Sequence, residues 1–181
     1  MTEPDDIRLV PLAREHLTFL ADVVHDPDVL RFTRVPDPPP EDFVEGWFAG
    51  YEEGRAAGTR DGFAILDAEG IFLGTAVAPA IDRATGTVEL GYTIMPAARS
   101  RGVATRALGL ITEWAFAALD AKRIELYIST DNPASKRVAE RNGYRYEGTL
   151  RSLYFKQDLR VDTEIWSKLP ADRDVGGRGG S

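Results

Sequence analysis

The stretch RSRGVATRAL, residues 99–108, sets an arginine-flanked glycine between two kinds of periodicity. Before it, TVELGYTIM (87–95) alternates Val88, Leu90, Tyr92 and Ile94 against Glu89, Gly91, Thr93 and Met95, the period of a half-buried strand. After it, Val103, Ala107, Leu108, Ile111, Ala115 and Leu119 recur along one helical face. A strand that turns through glycine into a helix leaves the helix's first N–H groups unpaired beside the positive end of its dipole, which attracts phosphate. Gly102 and Ala104 allow close backbone approach, and Arg99 and Arg101 add charge. Taken alone, Arg-x-x-Gly-x-Ala equally suits an ordinary strand-to-helix turn with solvated arginines. It is not a P-loop, because no Lys-Ser/Thr pair follows a second glycine, and the Gly-x-Gly-x-x-Gly spacing of dinucleotide binders is absent.

Outward from this turn, strands and helices continue to alternate. IRLVPL (7–12) reads as a first strand, and AREHLTFLADVVHDPDV (13–29) as one helix with Leu17, Leu20, Ala21 and Val24 on a face. TRVPDPPP (33–40) breaks the chain, since proline removes donors and disfavours helix before it. EDFVEGWFAGYEEGRAA (41–57) is a second helix with Phe43, Trp47 and Tyr51 four apart, and FAILDA and IFLGTAVAPAI follow as strands. On the far side, RIELYIST alternates, and NPASKRVAERNG is a short helix with Asn132 as N-cap, Pro133 at the first position and Gly143 as its stop. YRYEGTL and RVDTEIWSKL close as a strand pair. The pattern predicts an α/β or α+β sheet with helices on both faces.

The chain has 181 residues, enough for a single domain, placed here at 1–170. The glycine-rich 171–181 has nothing to bury and is expected to lack structure. Net charge is −7, with a pI near 4.9, which argues against nucleic-acid binding. No apolar run nears the ~20 residues a membrane span needs. The first residues, MTEPDDIRLV, lack the features of a signal peptide, so a cytoplasmic location is expected. Without cysteine there is no disulfide, thiolate metal site or thioester acyl-enzyme, and His16 and His25 are too few for a metal cluster.

ELGYTIMPAARSRGVATRAL, then a helix, a strand and STDNPASKRVAERNGYRYEGTL, resembles the GNAT superfamily of acetyl-CoA-dependent N-acetyltransferases. Within it, the chain is similar to the RimJ/RimL-like branch that acetylates ribosomal-protein N-termini. The resemblance covers most of residues 7–169 and is sharpest from Glu89 to Arg151. It implies a mixed, mostly antiparallel sheet of six to seven strands that splays at the centre beside GYTIMP. It further implies acetyl-CoA as donor, no metal, an amine acceptor and a homodimer. The amides of Arg101, Gly102, Val103, Ala104 and Thr105 would hold the CoA diphosphate, with Arg99 and Arg101 nearby. Backbone groups of Ile94 and Met95 would meet the pantetheine arm, Asn132 would bond that arm or simply cap its helix, and Ser135 would sit close to the sulfur or likewise cap.

Acyl transfer to an amine requires a proton acceptor, a stabilised oxyanion and help for the departing thiolate. The helix tyrosine that many such enzymes aim at the thiolate is here Ala139, which leaves Ser135. For the base, Glu89 matches one glutamate position of the superfamily, while the RimL-like position after EGTLR holds Tyr154. Phe32, Arg34, Trp47, Tyr51 and Phe155 are candidates for lining the acceptor pocket. The stripe Phe43, Trp47, Tyr51 equally suits a core. Near pH 7.5, deprotonating an α-amine of pKa ~8 costs under about 1 kcal/mol, against roughly 4 for a lysine. A site without an evident strong base therefore suits an α-amine better than a lysine, and the expected acceptor is a protein or peptide N-terminal α-amine or a small-molecule amine. Two rival readings are a catalytically silent CoA-binding sensor or scaffold on the same fold, and a nucleotide-phosphate binder of unrelated fold.

Overall fold

The computed structural model describes residues 6–156 and 159–177. Its strands are β1 (Arg8–Pro11), β2 (Asp61–Leu66), β3 (Phe72–Asp82), β4 (Thr87–Ile94), β5 (Arg123–Ser129), β6 (Arg145–Lys156) and β7 (Leu159–Lys168). They form one seven-stranded sheet in the order β1-β2-β3-β4-β5-β7-β6. β4 and β5 run parallel, and the other neighbours are antiparallel. Pro79, which lacks a ladder donor, falls at the bulge where β3 slips register between Val77 and Ala80.

The parallel pair is short. β4 and β5 are in register only at Thr87 with Arg123, Val88 with Ile124 and Glu89 with Glu125. Beyond that rung β4 stays on β3 as far as Ile94, and β5 stays on β7 as far as Ser129. The sheet therefore forks at Glu89, the splay that the resemblance implied.

Helices cover both faces. α4 (Val103–Leu119) buries Val103, Ala107, Leu108, Ile111 and Ala115 against Val88, Leu90, Ile124, Leu126 and Ile128 of β4 and β5, and α5 (Pro133–Arg141) adds Ala139 to this core. On the opposite face, α1 (Leu17–Val23), α2 (Pro27–Phe32) and α3 (Phe43–Ala57) pack around Leu12, Leu20, Val29, Phe48, Ala64 and Phe72. Ala64 and Ile65, adjacent in β2, feed opposite cores, as the two-residue period of a strand requires. β3 and β4 leave no room for a side chain at Gly74, where φ is +152° and a Cβ would sit 2.1 Å from the Thr93 carbonyl oxygen.

Two readings of the sequence are corrected. The single helix over 13–29 is instead a 3-10 turn (Arg14–His16), α1 and α2. Asp26 Oδ1 accepts the N–H groups of Asp28 and Val29, each at 3.1 Å, and Pro27 takes the first helical position. A capping Asp followed by Pro starts a new helix more readily than it continues an old one. The 171–181 segment is not structureless throughout, since Pro170–Gly177 winds as a 3-10 helix. Asp172 pairs with Arg145 at 2.8 Å and Arg173 with Glu113, anchoring the segment despite its composition. Residues 178–181 lie outside the described residues.

Candidate active site

α4 begins at an exposed turn. Gly102 is its N-cap at φ +81°, a conformation costly for other residues, and it supplies no side-chain cap. Arg101 and Gly102 are exposed, and Ala104 and Thr105 half-buried. The first amides of α4 thus open toward solvent at the positive end of the helix. Arg101 makes no ion pair among the described residues.

Arg99 is placed differently from expectation. Its guanidinium binds Asp26 at 2.6 Å and Asp28 at 3.1 Å, and its Nε donates to the Ile94 carbonyl. That charge is neutralised by α2, so Arg99 ties the turn to α2 instead of facing an anion. Met95 also departs from expectation: its N–H donates to Leu73 O and its carbonyl accepts from Ala98, each at 2.9 Å. The Ile94 and Met95 carbonyls thus each retain one further lone pair, while β5 leaves the edge of β4 from Leu90 to Thr93 unpaired.

On the α5 side of the fork, Asn132 caps the helix through Oδ1, which accepts the Ser135 N–H at 3.1 Å. Ser135 is the third residue of α5, and its Oγ lies 2.9 Å from the Tyr92 hydroxyl. Burial pushes the Tyr92 phenol up to about 12.

The other face of the fork carries charge. Glu89 and Glu125 stand opposite each other on the last rung. Arg34 reaches across from the segment after α2, donating to Glu89 Oε1 at 2.7 Å and to the Tyr154 hydroxyl at 2.6 Å, with its guanidinium over the Tyr154 ring. Glu125 accepts from Arg123 Nε at 2.6 Å and from the Tyr127 hydroxyl at 2.9 Å. Burial raises the Glu89 carboxyl above the ordinary carboxylate range and outweighs the opposing pull of Arg34, and the neighbouring Glu125 adds to the rise. Burial likewise raises the Tyr154 phenol.

Residues 6–145 of this forked-sheet chain match the Acetyltransferase (GNAT) domain model. The chain belongs to the GNAT acetyltransferase family. It is 30% identical over 124 residues to an uncharacterized N-acetyltransferase, YoaA, of Bacillus subtilis (strain 168), covering 68% of each chain. Two solved structures share its fold. One is spermidine N-acetyltransferase from Vibrio cholerae in complex with CoA and spermine, at TM-score 0.81 and 20% identity, covering 92% of this chain and 97% of that one. The other is the ribosomal-protein alpha-N-acetyltransferase RimL in complex with coenzyme A, at TM-score 0.81 and 18% identity, covering 91% and 94%. The chain is therefore an enzyme, an N-acetyltransferase of GNAT type.

Within this GNAT frame, the structure brings Arg34, Glu89 and Tyr154 together, and Ser135 to Tyr92. Tyr51 is 5% exposed, with its phenol pushed up to about 12 by burial, and Trp47 packs on it at 4.6 Å. Tyr51 is thus buried, while Trp47 is half-buried and packs against the α1–α3 core. Phe32 is half-buried at the end of α2 under the Arg31 guanidinium. Phe155 pairs with Arg160 along the backbone, and its side chain lies outside the described residues. Glu125, Tyr127 and Tyr92 escaped the sequence reading of the site. The alternation in RIELYIST puts Glu125 and Tyr127 on one face, but only the β4–β5 register sets them beside Glu89. Among the described residues no helix is long and apolar enough to cross a membrane, and no cluster of three or more metal-ligating side chains occurs.

Proposed function

We propose that this GNAT enzyme moves an acetyl group from acetyl-CoA to a primary amine that approaches from the Glu89 side. The preferred acceptor is the N-terminal α-amine of a peptide or protein, as in the RimJ/RimL-like branch, and the next a small-molecule amine. The observation that carries this reading is the fork at Glu89, which opens the sheet between a hydroxyl on α5 and a carboxylate on the opposite face. The uncapped start of α4 fits the diphosphate: the amides of Arg101, Gly102, Val103, Ala104 and Thr105 receive it, with the Thr105 hydroxyl beside them and Arg101 contributing charge. The unpaired edge of β4 suits the amide-rich pantetheine arm, and Asn132, whose Oδ1 caps α5, has its Nδ2 left to donate to that arm. Acetyl-CoA, once bound, supplies the acetyl group as an activated thioester.

Glu89 takes the proton from the amine. Its raised pKa brings the carboxylate closer to the amine in basicity. Tyr154, a phenol held above its ordinary value, keeps its proton at pH 7 and acts by holding Arg34. Ser135 donates to the departing sulfur. Arg34, already aimed at a carboxylate, is a fork for an acceptor's own carboxyl group.

The test is thiol release from acetyl-CoA in the presence of peptides with free N-termini, amino-acid amides and spermidine. Turnover fastest with α-amines is expected, and silence across the panel overturns the reading. CoA binding without thiol release favours the silent sensor instead. Ser135→Ala removes a hydrogen bond to a developing charge, about 1.5–3 kcal/mol or roughly 10- to 150-fold in kcat, with KM for acetyl-CoA little changed. A second contrast separates the two arginines of the turn. Arg99→Ala is expected to lower stability by about 1–2 kcal/mol, since its pair with Asp26 is half-buried. Arg101→Ala, by contrast, leaves stability unchanged and weakens CoA binding. Calorimetry and thermal melting of both variants read the difference.

A further inference from the structure

We propose that Tyr92 is a positioning residue for the reaction: its phenol donates to Ser135 Oγ and so turns the Ser135 O–H toward the leaving sulfur. This rests on the acetyl-transfer reading above and names a residue that reading does not require.

A serine hydroxyl carries one proton and two lone pairs, and its rotor is set by what it accepts. Everything else around the pair is held. Tyr92 lies in β4, in register with Ala76 of β3, and the Ser135 N–H is held by Asn132. The 2.9 Å separation allows either oxygen to donate. Satisfaction of buried donors decides the direction. Ser135 Oγ is the only hydrogen-bond partner of the Tyr92 hydroxyl among the described residues. Were Ser135 the donor, the half-buried phenol O–H would have no acceptor among the described residues, an arrangement proteins avoid. With Tyr92 donating, both hydroxyls are used, and the Ser135 proton points away from the phenol into the gap that β4 and β5 leave open. α5 reads PASKRVAER and offers no phenol of its own, so the hydroxyl pair is assembled across two elements.

As the amine nitrogen bonds to the acetyl carbon, the carbon–sulfur bond breaks and its electron pair stays on sulfur. The amine's proton leaves through Glu89 to solvent, and solvent returns one to the sulfur while Ser135 hydrogen-bonds it. Tyr92, held near 12, keeps its own proton throughout.

The experiment is a double-mutant cycle of Tyr92→Phe and Ser135→Ala, with acetyl-CoA and a free-N-terminus peptide or spermidine as probes. Tyr92→Phe in the wild-type background is expected to lower kcat by roughly fivefold, with KM for acetyl-CoA and melting temperature unchanged. In the Ser135→Ala background the same substitution should change nothing, because there is no hydroxyl left to orient. Equal losses in both backgrounds, or no loss in the first, overturn the inference while leaving the transferase reading standing. A loss accompanied by a raised KM or a lowered melting temperature marks a packing role and also overturns it. If the wild-type protein releases no thiol with any probe, the transferase reading falls and takes this inference with it.

Discussion

Glu89→Gln is expected to lower kcat by roughly 10²- to 10⁴-fold, the usual contribution of a general base. Glutamine keeps the size of the side chain and one acceptor oxygen for Arg34, so the fork, the salt-bridge position and CoA binding should survive. What is lost is the capacity to accept a proton. In the wild type, kcat falls as pH drops through the Glu89 pKa, because only the ionised carboxylate is a base. Burial sets that limb above the ordinary carboxylate range. Arg34 pulls the other way, since its positive charge 2.7 Å away favours the ionised form. Arg34→Met should therefore move the acid limb to still higher pH. A pH–kcat profile for the three proteins checks both statements. A Glu89→Gln enzyme at near wild-type rate removes this carboxylate from the chemistry.

Gly74→Ala is expected to have the largest effect on folding. The added methyl would meet the Thr93 carbonyl oxygen at 2.1 Å and Ile94 Cα at 3.0 Å, both backbone atoms in a paired strand. Neither can yield without parting β3 from β4, and φ of +152° disfavours alanine even in open space. A loss of about 3 kcal/mol or more follows from strain of this kind, which for a chain of this size is roughly 6–12 °C in melting temperature. The damage is also functional in direction, because Thr93 and Ile94 end the strand that leads into the α4 turn. Circular dichroism melting of the variant decides it. A melting temperature within a degree or two of wild type would mean that the two strands do not approach so closely.

Much of the architecture was legible along the chain because its signals are local. Alternation in TVELGYTIM and RIELYIST, the helical spacing after Gly102 and the Asn132-Pro133 start each depend on a few neighbouring residues. The break at Asp26-Pro27 was missed although its signal is equally local, because the apolar spacing of 13–29 ran through it. The order of catalytic-looking residues was readable too, but not their partners.

By itself the sequence determined where β4 gives way to α4, that this turn carries a glycine N-cap between arginines, and that the chain has no cysteine thiol of its own. Those outcomes follow from backbone propensity, glycine's freedom at one dihedral and the residue inventory. Only the tertiary structure decided that Arg99 serves α2, that Arg34 finds Tyr154 120 positions away, that Glu125 faces Glu89, and that Tyr92 meets Ser135. Each of these rests on the register of the strands and the crossing of distant elements, and a shift of one residue in β4 would exchange the faces that Glu89 and Tyr92 occupy, taking each away from its partner.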